Sequence, residues 1–389
     1  MKKFSRAQII TTGLAIFSMF FGAGNLMYPV SVGISSGPYI LWGLLGFLMT
    51  AVVLPFTGLI TMILFNGDYK SFFYRMGSTV GSLIILACML IIGPVIAIPR
   101  IVTVSYTFIE PFLYGMPSLV FALIFIGLTF LMTYKESRIV SLLGDFISPA
   151  LLISLGIIII KGLVSADVSV ATQLDKLHAF THNLKIGYET LDLLGGIFFS
   201  SIILTMLKSS NTQENYSLKD LALIGLKSGL LGTSLLALVY IGMGILSMFH
   251  GHTVTEFGAN PALQLRMISD LLLGQIGAAV LSIAVLMACF STSIALVATV
   301  GDYMQKTVCN NKISFAWGAA LISIASLPLS IAGLEVILGL AGGPILYVGY
   351  PVLIAITLCN LAHKLCNFNY IKIPVLLTFV VTCISYIYS

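Results

Sequence analysis

The sequence predicts an all-α integral membrane protein of about 11 transmembrane helices. Two inverted five-helix repeats, with broken helices 1 and 6, are followed by one extra C-terminal helix. Three observations lead there. Of 389 residues, 58% are hydrophobic and 8% charged, with mean hydropathy +1.07, whereas about a quarter of the residues in soluble domains are charged. Apolar runs long enough to cross roughly 30 Å of hydrocarbon recur along the whole chain. Finally, lysine and arginine are unevenly shared between alternate loops, as the positive-inside rule requires.

The runs read as spans over 7–35, 39–66, 82–113, 117–134, 139–163, 187–208, 221–249, 271–300, 313–331, 334–361 and 372–389. Lys2, Lys3 and Arg6 before the first run resemble a secretory signal. That run is too long for one and lacks a small-residue cleavage site, so it reads as a retained first helix. With the N-terminus cytoplasmic, 14 lysines and arginines fall inside and only Lys161, Lys176, Lys185 and Arg266 outside, with Arg100 within a span. Five crossings are an odd number, so a second five-helix unit enters the membrane upside down relative to the first. This divides the chain into a first repeat at 1–163, an extracellular connecting segment at 164–186, an inverted second repeat at 187–361 and a terminal helix at 362–389.

The first span carries Phe-Phe-Gly-Ala-Gly-Asn-Leu-Met-Tyr-Pro at 20–29, near its midpoint. Hydrocarbon offers no partner to unpaired backbone groups, so such a break needs protein, water or a ligand around it. Interrupted helices of this kind mark transport sites. The pseudo-symmetry predicts a second break in the sixth span, where Gly195, Gly196, Ser200 and Ser201 lie near the centre. Glycine pairs and serines also serve close helix packing. A half-helix N-terminus offers N–H groups and a positive dipole end to a carboxylate. Ala23 and Gly24 are therefore candidates for a substrate carboxylate, within a substrate-binding stretch that includes Gly22 and Asn25, and the carbonyls of Phe199 and Ser200 for an amine. Phe20, Phe21, Phe198, Phe199 and Ile202 flank the breaks and would suit an aliphatic side chain or simple helix packing.

In the eighth span, Ala288, Ser291 and Thr292 share one helix face, so a carbonyl and two hydroxyls can converge. Uncharged oxygen ligands suit a sodium ion, although Ser and Thr in helices also bond back to the preceding turn. Arg100, Asp145 and Asp192 lie within spans, with Glu110, Glu189 and Glu335 nearer the ends. Arg100 either pairs with Asp192 or meets a substrate carboxylate directly. Intramembrane charges cost about 2.5–3.5 kcal/mol on insertion scales and need such partners. The five histidines fall outside the spans or at their edges. Neither a nucleophile–base pair nor a paired-carboxylate pattern appears within the spans, which argues against an enzyme. The basic residues are scattered, so nucleic-acid binding has no support. The six cysteines show neither a disulfide framework nor metal-ligand spacing.

Three stretches resemble the bacterial branched-chain amino acid:cation symporters of BrnQ type. They are Phe-Phe-Gly-Ala-Gly-Asn-Leu at 20–26, Gly-Pro-Val-Ile-Ala-Ile-Pro-Arg at 93–100 with Thr103, Ser105 and Tyr106, and Gly-Tyr-Glu-Thr-Leu-Asp at 187–192. The resemblance runs in order along nearly the whole chain. It implies the leucine-transporter-like fold and import of leucine, isoleucine or valine with Na+ by alternating access, in a bacterial inner membrane, as a monomer or weak homo-oligomer. It also implies a sodium site from the Ser18 and Phe21 carbonyls, the Ala288 carbonyl and the Ser291 and Thr292 hydroxyls. Asn25 and Ser200 match positions that can serve a second sodium, and Tyr106 resembles an aromatic that covers the substrate. The chain departs from the family in being short, since members commonly have a twelfth helix. Coupling to protons, with Asp145 or Asp192 as carrier, is the alternative to sodium.

Overall fold

The computed structural model describes residues 6–134, 148–166, 169–172, 174–209, 218–254 and 260–388. All regular structure among them is helical. The helices are α1 Arg6–Phe20, α2 Ala23–Ser36, α3 Ile40–Leu48, α4 Leu54–Leu64, α5 Tyr69–Phe73, α6 Ser78–Leu90, α7 Ala97–Ile109, α8 Ser118–Thr133 and α9 Ser148–Val164. They continue with α10 Lys176–Tyr188, α11 Asp192–Phe198, α12 Ser200–Ser209, α13 Leu218–His250, α14 Pro261–Tyr303, α15 Phe315–Ser330, α16 Leu334–Gly342, α17 Tyr350–Cys366 and α18 Lys372–Ile387. Among the described residues, five stretches are long and apolar enough to cross a membrane: Ala23–Leu64, Ser78–Phe112, Asp220–Thr253, Pro261–Val308 and Ile345–Cys366. Shorter apolar helices, Ser118–Thr133, Leu151–Val164 and Lys372–Ile387, lie among them, with the bent pair Phe315–Ser330 and Leu334–Gly342.

The first helix stops where the sequence marks it. Phe21 N–H closes the last α-helical bond on the Phe17 carbonyl at 2.8 Å, and Gly22 turns back onto Phe20 O at 2.9 Å. The chain then restarts as α2, and Pro29 lies inside this second helix without ending it. The sixth crossing differs from expectation. Lys176–Tyr188, most of it assigned to the connecting segment, is a helix packed along α3. Asp175 caps it by accepting the His178 N–H at 2.8 Å, a bond that holds the Asp175 carboxyl below its usual range. Its end and the start of α11 are separated by Glu189, Thr190 and Leu191, with Leu191 at φ 63°.

The break in this crossing therefore lies at 189–191 and not at Gly195–Ser201. At Phe199 the backbone keeps near-helical angles, and Phe199 N–H reaches Gly195 O at 2.8 Å while its own carbonyl accepts Ile203 N–H at 3.0 Å. Gly196 instead permits contact between helices, since a Cβ there would stand 2.4 Å from the Pro55 carbonyl of α4. Two further spans depart from expectation. The stretch 334–361 is interrupted at Gly343–Pro344, and α16 is bent by 104° from α15. Within α14, Gly274 is non-helical, with φ 66°, just inside the start of the 271–300 span.

α13 packs on both α1 and α2, while α14 packs on α7, α15 and α2. The two broken crossings are thus held at the centre, where Phe17, Phe21, Phe198, Tyr240 and Tyr350 are fully buried. At the α2–α13 contact a Cβ on Gly33 would lie 2.2 Å from the Gly244 carbonyl. Gly33→Ala is therefore expected to lower the melting temperature of the detergent-solubilised protein, costing about 1–3 kcal/mol through overpacking. Gly127→Ala, which meets nothing within 4 Å, serves as the comparison. Equal melting temperatures for the two variants would refute the close approach.

Candidate functional site

The free carbonyls at the end of α1 meet the middle of α14. A helix leaves its last carbonyls without intrahelical partners, and here those of Ser18 and Phe21 face Thr292. Thr292 Oγ1 stands 3.5 Å from Ser18 O, 3.3 Å from Phe21 O and 3.3 Å from Ala288 O. Ser291 Oγ lies 3.4 Å from Ser18 O and 2.8 Å from Ala288 O. The five predicted cation ligands, Ser18, Phe21, Ala288, Ser291 and Thr292, are thus brought together, and all five residues are buried.

These spacings are informative. One hydroxyl proton cannot serve three carbonyls, and the Thr292 contacts are longer than the 2.7–2.8 Å typical of O–H···O bonds. Around a hard cation with bonds of about 2.4 Å, adjacent oxygens of an octahedron stand about 3.4 Å apart. Converging neutral oxygens replace a hydration shell without supplying a titratable group. Gly22 contributes by its lack of a side chain, because a Cβ there would press on Thr292 Cγ2 at 3.1 Å.

Next to this cluster lies a cavity of about 40 Å³ lined by residues of both broken crossings, including Gly22, Ala23, Gly24, Asn25, Thr190, Asp192, Phe199 and Thr292. Its volume accommodates water molecules and must expand to take an amino acid. The remaining wall is largely apolar, with Met19, Phe20, Ile92, Ile101, Leu191 and Leu296. Phe20 and Phe199 face each other at 6.3 Å between ring centroids. The other aromatic residues expected to flank the breaks pack elsewhere. Phe21 stacks on Phe17, and Phe198 lies against Tyr69 and Phe73.

Asn25 joins the two breaks. Its Oδ1 accepts the Gly22 N–H at 3.0 Å, fixing the first break, while Nδ2 donates to Asp192 Oδ2 at 2.6 Å and also contacts the Tyr240 hydroxyl. The Tyr240 hydroxyl donates in turn to Asp192 Oδ2 at 3.0 Å. Arg100, only 4% exposed, spans from α7 to the second break. It donates to Glu189 O at 2.6 Å, Thr190 O at 3.0 Å and the Tyr28 hydroxyl at 3.3 Å. Its Nε is buried with no partner.

Several sequence expectations are corrected by this geometry. Arg100 does not pair with Asp192, because its fork is taken by break carbonyls. The Phe199 carbonyl is held by Ile203 N–H, and Ser200, fully buried, donates its hydroxyl to Ile197 O at 2.6 Å and is absent from the cavity wall. Tyr106 lies more than a turn beyond Arg100 on α7, where its hydroxyl donates to Met116 O at 2.8 Å and its ring meets Phe121, away from the cavity. Asp145 lies outside the described residues. Tyr240 and the carbonyls of Glu189 and Thr190 are contributors that sequence reasoning missed. The tyrosine sits in an otherwise ordinary apolar helix, and backbone carbonyls have no sequence signature. The αL residue Leu191 is likewise invisible in composition. Among the described residues, no group of three or more His, Cys, Asp or Glu could hold a metal.

Comparison with known proteins agrees with this architecture. Among solved structures, the inward-facing conformation of Mhp1 superposes with TM-score 0.60 at 14% identity, covering 98% of this chain and 90% of that one. MhsT in complex with L-phenylalanine gives TM-score 0.58 at 15% identity, covering 97% and 98%. Both share the helical transporter fold. The branched-chain amino acid permease BraB of Bacillus subtilis (strain 168) is 30% identical over 363 residues, 92% of this chain and 80% of the relative. The permease BrnQ of the same organism is 29% identical over 374 residues, 93% and 83%. A profile of the family described as branched-chain amino acid transport protein matches residues 5–389. The chain is therefore a multi-pass membrane transporter, not an enzyme, and belongs to the branched-chain amino acid transport protein family.

Proposed function

We propose that this protein imports leucine, isoleucine or valine by symport with Na+, by alternating access between two inverted five-helix repeats in a bacterial inner membrane, with the N-terminus cytoplasmic. The observation that carries the sodium assignment is the convergence of neutral oxygens where α1 ends against α14, with the Ser18, Phe21 and Ala288 carbonyls at 3.3–3.5 Å from Thr292 Oγ1 and the Ser291 hydroxyl on two of the same carbonyls. A proton-coupled carrier needs a titratable group at the ion site, and this cluster contains none. The cavity adjoins the ion site through Thr292, which would let ion and substrate organise the same break. The first N–H groups of α2, at Ala23 and Gly24, form the carboxylate site, supported by the buried Arg100 guanidinium, which a Gly24 Cβ would approach to 3.0 Å. The aliphatic wall accepts a branched side chain.

Uptake of radiolabelled leucine into proteoliposomes, under an inward sodium gradient, an inward proton gradient or neither, tests this reading. Accumulation driven by sodium alone is expected. Accumulation driven by protons alone would overturn the sodium assignment, and no gradient-dependent uptake of any of the three amino acids would overturn the substrate assignment. Gly24→Leu fills the cavity and is expected to abolish leucine binding, measured as ligand-dependent thermal stabilisation. Normal stabilisation would remove the cavity from the mechanism.

A further inference from the structure

Opposite charges share the small cavity without meeting. Asp192 is 5% exposed, and the hydrogen bonds to its carboxylate come from neutral groups, with Asn25 and Tyr240 both on Oδ2. The one cation in the cavity wall, Arg100, is committed to the Glu189 and Thr190 carbonyls and to Tyr28. Among the described residues, no ion pair includes Asp192. A buried carboxylate with neutral partners alone is expensive in a membrane, and a cationic ligand offsets that cost. A carboxylate offers about four lone-pair sites, and Asn25 and Tyr240 share one oxygen, which leaves capacity for a further donor.

Carbonyl groups are the other means of holding an ammonium, and those of Glu189, Thr190 and Phe199 already accept a hydrogen bond each. Arg100 occupies those of Glu189 and Thr190, and Ile203 N–H occupies that of Phe199. We propose that the Asp192 carboxylate receives the α-ammonium group of the transported amino acid, with Asn25 and Tyr240 as positioning residues; this rests on the amino-acid transport reading above. Asn25 and Tyr240 converge on one oxygen, and the Phe47 ring, edge-on to Tyr240 at 5.1 Å, keeps that tyrosine in place. An ammonium presents three donors, so it can bridge the free lone pairs of Asp192 while the substrate carboxylate lies at the start of α2. The site would then read the zwitterion at two separate points.

The test compares leucine with 4-methylpentanoate, its analogue without the amine, by thermal stabilisation and calorimetry on purified wild-type protein and Asp192→Asn. Removing one member of a buried charged pair is expected to weaken leucine binding by about 100-fold. Discrimination between leucine and the amine-free analogue should fall by the same factor, while stabilisation by Na+ alone persists. Retained discrimination would overturn the proposal, as would loss of the Na+ response with discrimination unchanged. Should the wild type bind no leucine at any Na+ concentration, the amino-acid reading itself fails first.

If Asp192→Asn does not elute as a monodisperse species, infrared difference spectra of the wild type carry the test. Leucine labelled with carbon-13 at its carboxyl shifts its own band away from that of the protein. A leucine-induced change in a protein carboxylate band, absent with 4-methylpentanoate, supports the assignment, and no such change overturns it.

Discussion

Replacing Ser291 and Thr292 together by alanine is expected to raise the sodium concentration for half-maximal leucine uptake by at least about 150-fold. Each hydroxyl supplies one oxygen to the α1–α14 cluster, and contacts to a charged group are worth about 1.5–3 kcal/mol apiece. Two lost ligands therefore cost about 3 kcal/mol or more, and each 1.4 kcal/mol is a factor of ten. Folding should be affected much less. The hydroxyls otherwise bond back to Ala288 or reach the Ser18 hydroxyl and carbonyls at 3.3–3.5 Å, so the melting temperature without sodium should change little. The sodium-dependent rise in melting temperature should disappear. Unchanged sodium activation in the double variant would remove the assigned ion site.

Arg100→Met is expected to reduce uptake by about 100-fold or more, and Arg100→Lys should not restore it. The guanidinium satisfies two carbonyls of the second break at once, from a residue on α7. Without it, Glu189 and Thr190 present carbonyls that lose their charged partner in the interior, each costing about 1–3 kcal/mol. Lysine retains the charge but lacks the planar fork that reaches both carbonyls. Its ammonium would also compete for the Asp192 carboxylate. Uptake and melting temperature measured together separate the roles. If Arg100→Lys transports normally, charge alone suffices at this position and the fork to the break carbonyls is dispensable.

The membrane class and the first break were legible because each follows from local chemistry. Hydrocarbon demands apolar runs, and Gly22 cannot be mistaken for a helix interior when Gly24 and Asn25 follow. The oxygen cluster proposed as the ion site was legible for a related reason: Ala288, Ser291 and Thr292 share a helical face by spacing alone, and the family resemblance supplied Ser18 and Phe21.

The second break was misplaced because glycine has two uses. Gly195 and Gly196 look like a helix break in sequence, yet Gly196 serves a close approach to α4, while the chain opens at Glu189–Leu191. Lys176–Tyr188 carries lysines, histidines and an asparagine, so hydropathy assigns most of it to an outer segment. Only the structure reveals it as a helix packed along α3 that leads into the second break.

Sequence by itself determined the solvent this chain folds in and the location of one interruption, because these depend on single segments meeting lipid. Tertiary structure decided which groups share the interruption. Asn25, Asp192 and Tyr240 are separated by 167 and 48 residues along the chain, and Arg100 finds backbone carbonyls in place of the carboxylate that charge alone suggests. Side-chain partners in a low-dielectric interior are selected by distance and direction across helices, and that geometry exists only once the helices have packed.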